Sequence, residues 1–291
     1  GSPSALQAQK AGLLAVSTEA GDPKMGVIGV GPYVFTAAVA AQLEGAVMAD
    51  WGIEKMGFKK GYQLIDETNE YAKSVCAGYD WAFGEKAEVV AIDSFKLSDA
   101  AVSAQITRLA EAIKTSGVDN VMTCFSGPSA ASVVRQIRAA GIDIPILSGT
   151  SMDGTYWVDS VPGLTDFYAP TSALPNDDNR EPVNEITAAY KAKFGAVPAT
   201  QYGYPIWAWL DLWKAAVEKT GTFDSADVVK ALEENKDTET VLGLRSFSAQ
   251  QHIQVNAPLL ITKFEGGAQN LVEEWRISTD VPNTVLYRTK N

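Results

Sequence analysis

The chain has 291 residues, with 24 lysines and arginines against 35 aspartates and glutamates, for a formal net charge of −11, which excludes the basic footprint of a nucleic-acid-binding surface. Hydrophobic residues make up 46% and charged residues 20%, ordinary globular values that exclude whole-chain disorder and, at this length, point to about two domains. No run approaches the ~18 uninterrupted apolar residues of a membrane span.

The first element signal is LLAVS at 13–17, a buried-strand run with only 3–12 ahead of it. One strand does not make a sheet, so the reading expects a further N-terminal portion, about two βαβ units of roughly 30 residues each, to precede this sequence. Gly26, Gly29 and Gly31 do not follow the GxGxxG spacing of a phosphate loop. From residue 62 a strand–helix rhythm sets in. YQLID at 62–66 precedes a helical stretch over 69–83, and EVVAID at 88–93 precedes an amphipathic pattern over 99–114. NVMTCF at 120–125 then precedes a helix over 128–140 that closes at Gly141, and PIL at 145–147 leads into the loop SGTSMDG. Val133, Val134, Ile137 and Ala140 fall at helical spacing, which gives that helix one face to pack on a sheet. The rhythm predicts a doubly wound α/β domain over 37–169 whose strands open into loops at their C-terminal ends.

TDFYAPT at 165–171 is strand-like but interrupted by Pro170, and beyond it helices dominate, over 181–194, 206–220 and 225–235. Ser225 and Asp227 mark the start of the third, and Gly266 and Gly267 signal a hairpin in a β-like tail. The change of rhythm places a domain crossing near Tyr168. Trp207, Trp209 and Trp213 recur at helical spacing and are read as core.

No enzyme constellation is legible. The single histidine, His252, beside Gln251 in a polar stretch, is read as a surface residue, and one histidine makes neither a triad nor a histidine metal site. Glu233 with Glu234 and Glu273 with Glu274 read as solvated pairs. Cys76 and Cys124 are too few for a zinc cluster; they either form one bridge or stay as two buried thiols, the latter being the ordinary state of free cysteine. The sequence therefore assigns no catalytic residue, no cofactor and no metal.

The loops carry a resemblance. AGLLAVSTEAGDP at 11–23, LIDETNEYAKS at 64–74, FKLSDAAVSAQITRL, SGPSAASVVRQIRAAGIDIPILSGTSMDG and YGYPIWAWLDLWKAA follow one another with the order and spacing of the periplasmic leucine/isoleucine/valine-binding proteins, the substrate-binding components of branched-chain amino-acid ABC transporters. The sequence resembles that family over nearly all its length, without the family's N-terminal strand–helix portion. The resemblance implies a two-lobed α/β fold of the type I periplasmic binding protein class, with doubly wound parallel sheets joined by crossing hinge strands. The first lobe would comprise 1–36 plus 170–257 and the second 37–169 plus 258–291.

The resemblance also implies where a ligand binds. On the first lobe it points to Ser17, Glu19 and Gly21 in the loop after the first strand and to Tyr202 before the tryptophan-rich helix. Glu19, Ala20 and Gly21 stand where the family commonly has small residues and a threonine, which argues against a plain leucine-type ligand. Ser2 and Ser4 are similar to a serine-rich ligand loop, and Gly1 and Ser2 equally fit a cloning remnant. On the second lobe Tyr71 falls at the family's aromatic position, in a strand-to-helix loop of the kind where open α/β sheets take their ligands. Its alternative is a ring that packs at the helix entrance. Phe125, Ser126 and Gly127 precede a helix N-terminus suited to an anionic group, or are simple turn residues. Ser151 and Asp153 lie at the position for a polar or acidic contact to an amino group, Asp153 alternatively capping a helix over 154–158.

The function implied is an extracytoplasmic or periplasmic solute-binding protein. It would close on a small amino acid or related organic acid between its lobes and deliver it to an ABC transporter permease, with no covalent chemistry, no nucleic acid and no membrane span of its own. A ligand-sensing domain of a receptor or regulator with the same fold is the alternative.

Overall fold

The structure, a computed structural model, describes residues 2–96, 98, 101–127 and 130–288. It comprises helix α1 (Ser2–Lys10), strands β1 (Ala15–Ser17) and β2 (Val34–Thr36), α2 (Ala41–Trp51), β3 (Lys60–Asp66), α3 (Glu70–Gly84), β4 (Glu88–Phe95), α4 (Ser103–Ser116), β5 (Asn120–Cys124), α5 (Ala130–Ala139), β6 (Ile146–Ser148) and β7 (Phe167–Thr171). Helices α6 (Glu181–Phe194), α7 (Pro205–Thr220) and α8 (Ser225–Glu233) follow, then the hairpin of β8 (Leu259–Glu265) and β9 (Ala268–Trp275) and a short α9 (Asn283–Leu286). The expected helix starts at 99 and 128 lie outside the described residues.

The chain folds as two compact units. The first holds 1–40, 172–258 and 278–291, and the second holds 41–171 and 259–277. The crossings thus fall a few residues after Phe35 and Tyr168, and a fourth, after 277, returns the tail to the first unit, where the sequence reading had kept it in the second. The tail turns back because its apolar residues Val281 and Leu286 are buried and Val281 donates its amide to the Val255 carbonyl of the first unit.

In the second unit seven strands form one sheet in the order β4-β3-β5-β6-β7-β8-β9, parallel from β4 to β7 and antiparallel from there on. Alternation along the strands assigns the two faces. Tyr62, Leu64 and Val121 point to one face and join Val133, Val134 and Ile137 of α5 and Ile106 and Leu109 of α4 in one core. Gln63 and Asn120 point to the other, where Asp80 and Tyr79 of α3 bond them. Burial on both faces is what a parallel sheet requires. β5, with all five residues buried, meets it in full.

Helices α2 and α3 cross with backbones in contact. A methyl group at Gly45 would collide with the Val75 carbonyl, and one at Gly78 with the Gln42 carbonyl. Glycine at both points lets the backbones touch. α2 was not legible as a surface helix because it is buried nearly all round; such a helix has no polar face to show the 3.6-residue period. Cys76 of α3 and Cys124 at the end of β5 form a disulfide, the bridged one of the two states that the sequence left open. Close packing of α3 on β5 brings two small side chains, 48 residues apart in sequence, to a Cα separation of 5.8 Å.

In the first unit the expected lone strand finds a parallel partner, β1 against β2. Val34 of β2 packs with Ala5 of α1 and Met25. Phe35, on the opposite side, packs with Trp209 and Leu212 of α7, Val228 and Leu232 of α8, and Phe247. Trp209 is buried as expected, but Trp207 is 45% exposed, so the tryptophan stripe is only in part core. α8 is capped by Asp224, which accepts from the Ala226 and Asp227 amides, whereas the Ser225 hydroxyl accepts from the Leu14 amide.

His252 corrects the sequence reading most clearly. It is 2% exposed, not at the surface. Its ring stacks on Phe35 with centroids 3.7 Å apart, and its two nitrogens meet the Val34 carbonyl at 3.0 Å and Glu233 at 3.1 Å. Glu233 is therefore no merely solvated carboxylate. A polar sequence neighbourhood did not reveal the histidine's burial because the apolar partner comes from a strand over 200 residues away.

Candidate functional site

The strand order of the second unit reverses between β3 and β5, since the chain leaves β3 toward β4 on one side and leaves β5 toward β6 on the other. Open α/β sheets bind ligands at the carboxyl ends of strands beside such a reversal. The loops there are those after β3, β5 and β6, and they carry most of the residues that the sequence singled out.

The three loops are bonded to one another. After β3, Asn69 caps α3 by accepting from the amides of Tyr71 and Ala72, and its side-chain nitrogen donates to the Ser126 hydroxyl oxygen at 2.5 Å in the β5 loop. Ser151 of the β6 loop donates its hydroxyl to the Phe125 carbonyl at 2.6 Å and its amide to the Tyr71 hydroxyl oxygen at 3.1 Å. Tyr71 donates in turn to Glu44 Oε2 of α2 at 2.5 Å, and the same oxygen accepts the Thr150 amide at 2.9 Å. The Cys76–Cys124 disulfide spans the same pair of elements as the Asn69–Ser126 bond. Loops so tied lose little further freedom when a ligand settles on them, and affinity gains from that.

The donors left in these loops are unevenly placed. In the β6 loop the amides from Thr150 to Gly154 are all taken, by Glu44, Tyr71, the Gly149 and Thr150 carbonyls and the Gln269 side chain. In the β5 loop the amides of Ser126 and Gly127 donate to no group among the described residues. Among the described residues the β5 loop thus keeps donors and the β6 loop none, while Asp153 of the β6 loop and Glu44 of α2 bring carboxylates to it.

Electrostatics sharpen that division. Glu44 is 3% exposed, and burial pushes its carboxyl up to about 7, against the opposing pull of its bonds from Tyr71 and Thr150. Asp153 is buried as well and accepts from the Gln269 side-chain amide at 2.8 Å. It caps no helix, because none forms over 154–158; Asp153 follows a single 3-10 turn at Thr150–Met152 instead. Gly149 makes the arrangement possible, since a Cβ there would stand 2.6 Å from the Tyr71 hydroxyl and 2.8 Å from Glu44 Oε2.

Other expected residues stand elsewhere. The Phe125 ring is buried in the sheet core against Phe95, so only its backbone faces the loop. On the first unit, Ser17 accepts from the Ala20 amide within its own loop, and Tyr202 is 42% exposed on a short 3-10 turn. Glu19 and Gly21 lie in the irregular segment after β1, both half-buried. Ser2 and Ser4 correct the expectation of a serine-rich loop, for they begin helix α1, with Ser4 exposed and the Ser2 side chain outside the described residues. The alanines, leucine and glutamines that follow are strong helix formers. The sequence reading missed Glu44, Asn69 and Gln269. A lone carboxylate inside the apolar run AQLEGAVMADW was a signal for Glu44; nothing local marked Gln269.

Comparison with known proteins places this architecture. The family model described as "Periplasmic binding protein" matches residues 2–269. The chain belongs to the periplasmic binding protein family. A curated relative, the Leu/Ile/Val-binding protein homolog 3 of Brucella melitensis, is 29% identical over 243 residues, 81% of this chain and 62% of the relative. This periplasmic binding protein thus spans less than two thirds of that relative's length. Among solved structures, the substrate-binding protein LivJ of Streptococcus pneumoniae in complex with isoleucine is similar at a TM-score of 0.74 and 23% identity, over 95% of this chain and 76% of that one. A putative branched-chain amino acid ABC transporter protein of Rhodospirillum rubrum reaches a TM-score of 0.78 at 20% identity, over 93% and 76%. A solute-binding protein of Rhodopseudomonas palustris in complex with benzoate gives 0.74 at 18%, over 94% and 75%. At these identities the structural likeness carries the fold, type I periplasmic binding protein. The resemblance drawn from the loop motifs and the fold class it implied are both borne out.

Proposed function

We propose that this chain is the extracytoplasmic binding component of an ABC transport system and that it captures a small amino acid or related organic acid for delivery to the permease. The observation that carries the reading is the set of three cross-bonded loops at the sheet's reversal point, with amides at Ser126 and Gly127 that donate to no group among the described residues, a buried carboxylate at Glu44 bonded to Tyr71 and another at Asp153. A ligand carboxylate fits the amides of the β5 loop, which leads toward α5. The Tyr71 ring supplies a wall for an apolar side chain. Carbonyls and Asp153 in the β6 loop suit an ammonium, because a cation leaving water needs a paired counter-ion. That similar folds are known with isoleucine and with benzoate bound agrees with a carboxylate as the common element. Ser17, Glu19, Gly21 and Tyr202 are the first unit's share in this proposal.

Denaturing the purified protein and identifying released small molecules by mass spectrometry tests the class directly, and calorimetry on stripped protein measures it. Asp153→Asn is expected to weaken an amino-acid ligand at least about tenfold and to spare its desamino analogue, since removing one partner of a buried charge pair costs about 2–5 kcal/mol. Equal losses for the two would show that Asp153 serves Gln269 and the loop rather than the ligand.

A further inference from the structure

The helix that follows β3 dictates which way the Asn69 side chain points its two ends. Its Oδ1 accepts backbone N–H groups of the first turn of α3, from Tyr71 at 2.9 Å and from Ala72 at 3.4 Å, and only the carbonyl end of an amide can accept. The Nδ2 end therefore faces the β5 loop, where it donates to the Ser126 hydroxyl oxygen. A hydroxyl has one hydrogen and two lone pairs. Because Nδ2 offers no lone pair, the Ser126 hydrogen is turned away from Asn69, and among the described residues no acceptor takes it. The amides of Ser126 and Gly127 donate to no group among those residues either. A Cβ added to Gly127 would meet no atom within 4 Å, so the space beside it is open.

We propose that Asn69 is a positioning residue that fixes the Ser126 hydroxyl as a donor, so that the β5 loop meets a ligand with this hydrogen and two amide hydrogens and selects an anionic acceptor there. The inference rests on the reading above that a ligand carboxylate meets this loop. Asn69 itself does not touch the ligand, since its two ends are spent on α3 and on Ser126. Two ties keep the pair in register. The cap places Asn69 at the start of α3, and the Cys76–Cys124 disulfide binds that helix to β5 two residues before Ser126. A serine whose hydroxyl turns freely serves donors and acceptors alike. With Nδ2 on one lone pair Ser126 presents its hydrogen, and a ligand ammonium at the same place would leave the three hydrogens of the loop without an acceptor.

Reversing the polarity of position 69 tests this. Asn69→Asp keeps oxygens for the cap, and aspartate caps helices as well as asparagine does, but it has no hydrogen to give to Ser126, whose own hydrogen then turns to the new carboxylate. In ligand-free protein carrying isotope-labelled aspartate, the carboxyl introduced by Asn69→Asp is expected to titrate lower than the same carboxyl in Asn69→Asp/Ser126→Ala, because a hydrogen bond to the charged form favours that form. Calorimetry with benzoate and with L-isoleucine as probes then measures the consequence. Ser126→Ala and Asn69→Asp should each weaken both probes roughly tenfold, and most of the Asn69→Asp loss should vanish in the Ser126→Ala background, as for two residues acting through one bond. Asn69→Ser, an uncharged cap without the Nδ2 donor, should show a smaller loss that vanishes in the same background. An Asn69→Asp loss that persists in full beside Ser126→Ala is a charge effect and overturns the inference. Equal titration of the two carboxyls overturns it whether or not a probe binds. If neither probe binds the unaltered protein while the two carboxyls titrate apart, the hold of Asn69 on Ser126 is supported and the carboxylate reading fails instead.

Discussion

In the second unit the central strands of a seven-stranded sheet are buried on both faces, whereas in the first two strands of three residues each are enclosed by helices and irregular segments. The loops differ in the same sense. Those of the second unit are bonded to one another across the sheet's reversal point, by Asn69 to Ser126, Ser151 to Phe125 and Tyr71 to Glu44. In the first unit Ser17 bonds within its own loop. A wide sheet gives several loops a common rigid base, and close loops can then bond to each other. Two short strands provide no such base, and the first unit ties its segments one to one instead, Leu14 to Ser225, Tyr33 to Gln9 and Thr36 to Ala20, with His252 stacked on Phe35 in its core.

The largest expected effect tests how far the second unit depends on its covalent tie. Replacing Cys76 and Cys124 together by serine opens a loop of 48 residues, for which the chain-entropy relation gives about 4 kcal/mol. Chemical denaturation should show that loss, and hydrogen exchange should place it in α3 and β5, with the amides of β1 and β2 little changed.

Glu44 and His252 sharpen the comparison by opposite responses to pH. The Glu44 carboxyl is raised from an ordinary 4.5 to about 7, so the folded second unit holds a proton that the unfolded chain gives up. Its contribution is complete below about 4.5 and is lost as pH rises to about 7, a difference of roughly 3 kcal/mol. Glu44→Gln should therefore raise the melting temperature above pH 7 and change it little near pH 4.5. His252 is held below its usual value chiefly by burial, against the Val34 carbonyl and Glu233. The unfolded chain takes up that proton first, so the first unit's stability is lost as pH falls below about 6.5. His252→Gln should make its unfolding less dependent on pH in that range, read by fluorescence of Trp209 and Trp213.

Gly149→Ala probes the loop network alone. The added methyl must push aside the Tyr71 hydroxyl or Glu44, and overpacking of this kind costs about 1–3 kcal/mol. In protein carrying isotope-labelled tyrosine, the Tyr71 resonance should move with it. The smallest effect is expected at Tyr202, whose exposure limits the stability change on Tyr202→Ala to within about 0.5 kcal/mol. Its readout is affinity: a loss means that the first unit shares the ligand, and no change means that the second unit holds it alone.

What could be read from the sequence followed local periodicity. The strands near 62–66, 88–93 and 120–125 match β3, β4 and β5 closely, and 181–194 coincides with α6, because in each case one face or both must be apolar over a stretch long enough to show a period. α1 and α2 escaped notice, the first being brief and the second buried all round. Among candidate site residues, Tyr71, Ser126 and Ser151 were singled out because loops after parallel strands have a known place in such sheets, and the structure brings them into one bonded cluster.

The amino-acid sequence by itself determined the strand–helix order of the second unit and the family, through patterns spanning tens of residues. Only the tertiary structure decided that Cys76 meets Cys124, that His252 is buried on Phe35, that Asp153 faces Gln269 and that Glu44 holds Tyr71. Each of these is a pair of residues separated by between 27 and 217 positions. Such a contact leaves no period in the chain, because it exists only once the sheet and its helices have brought the two elements together.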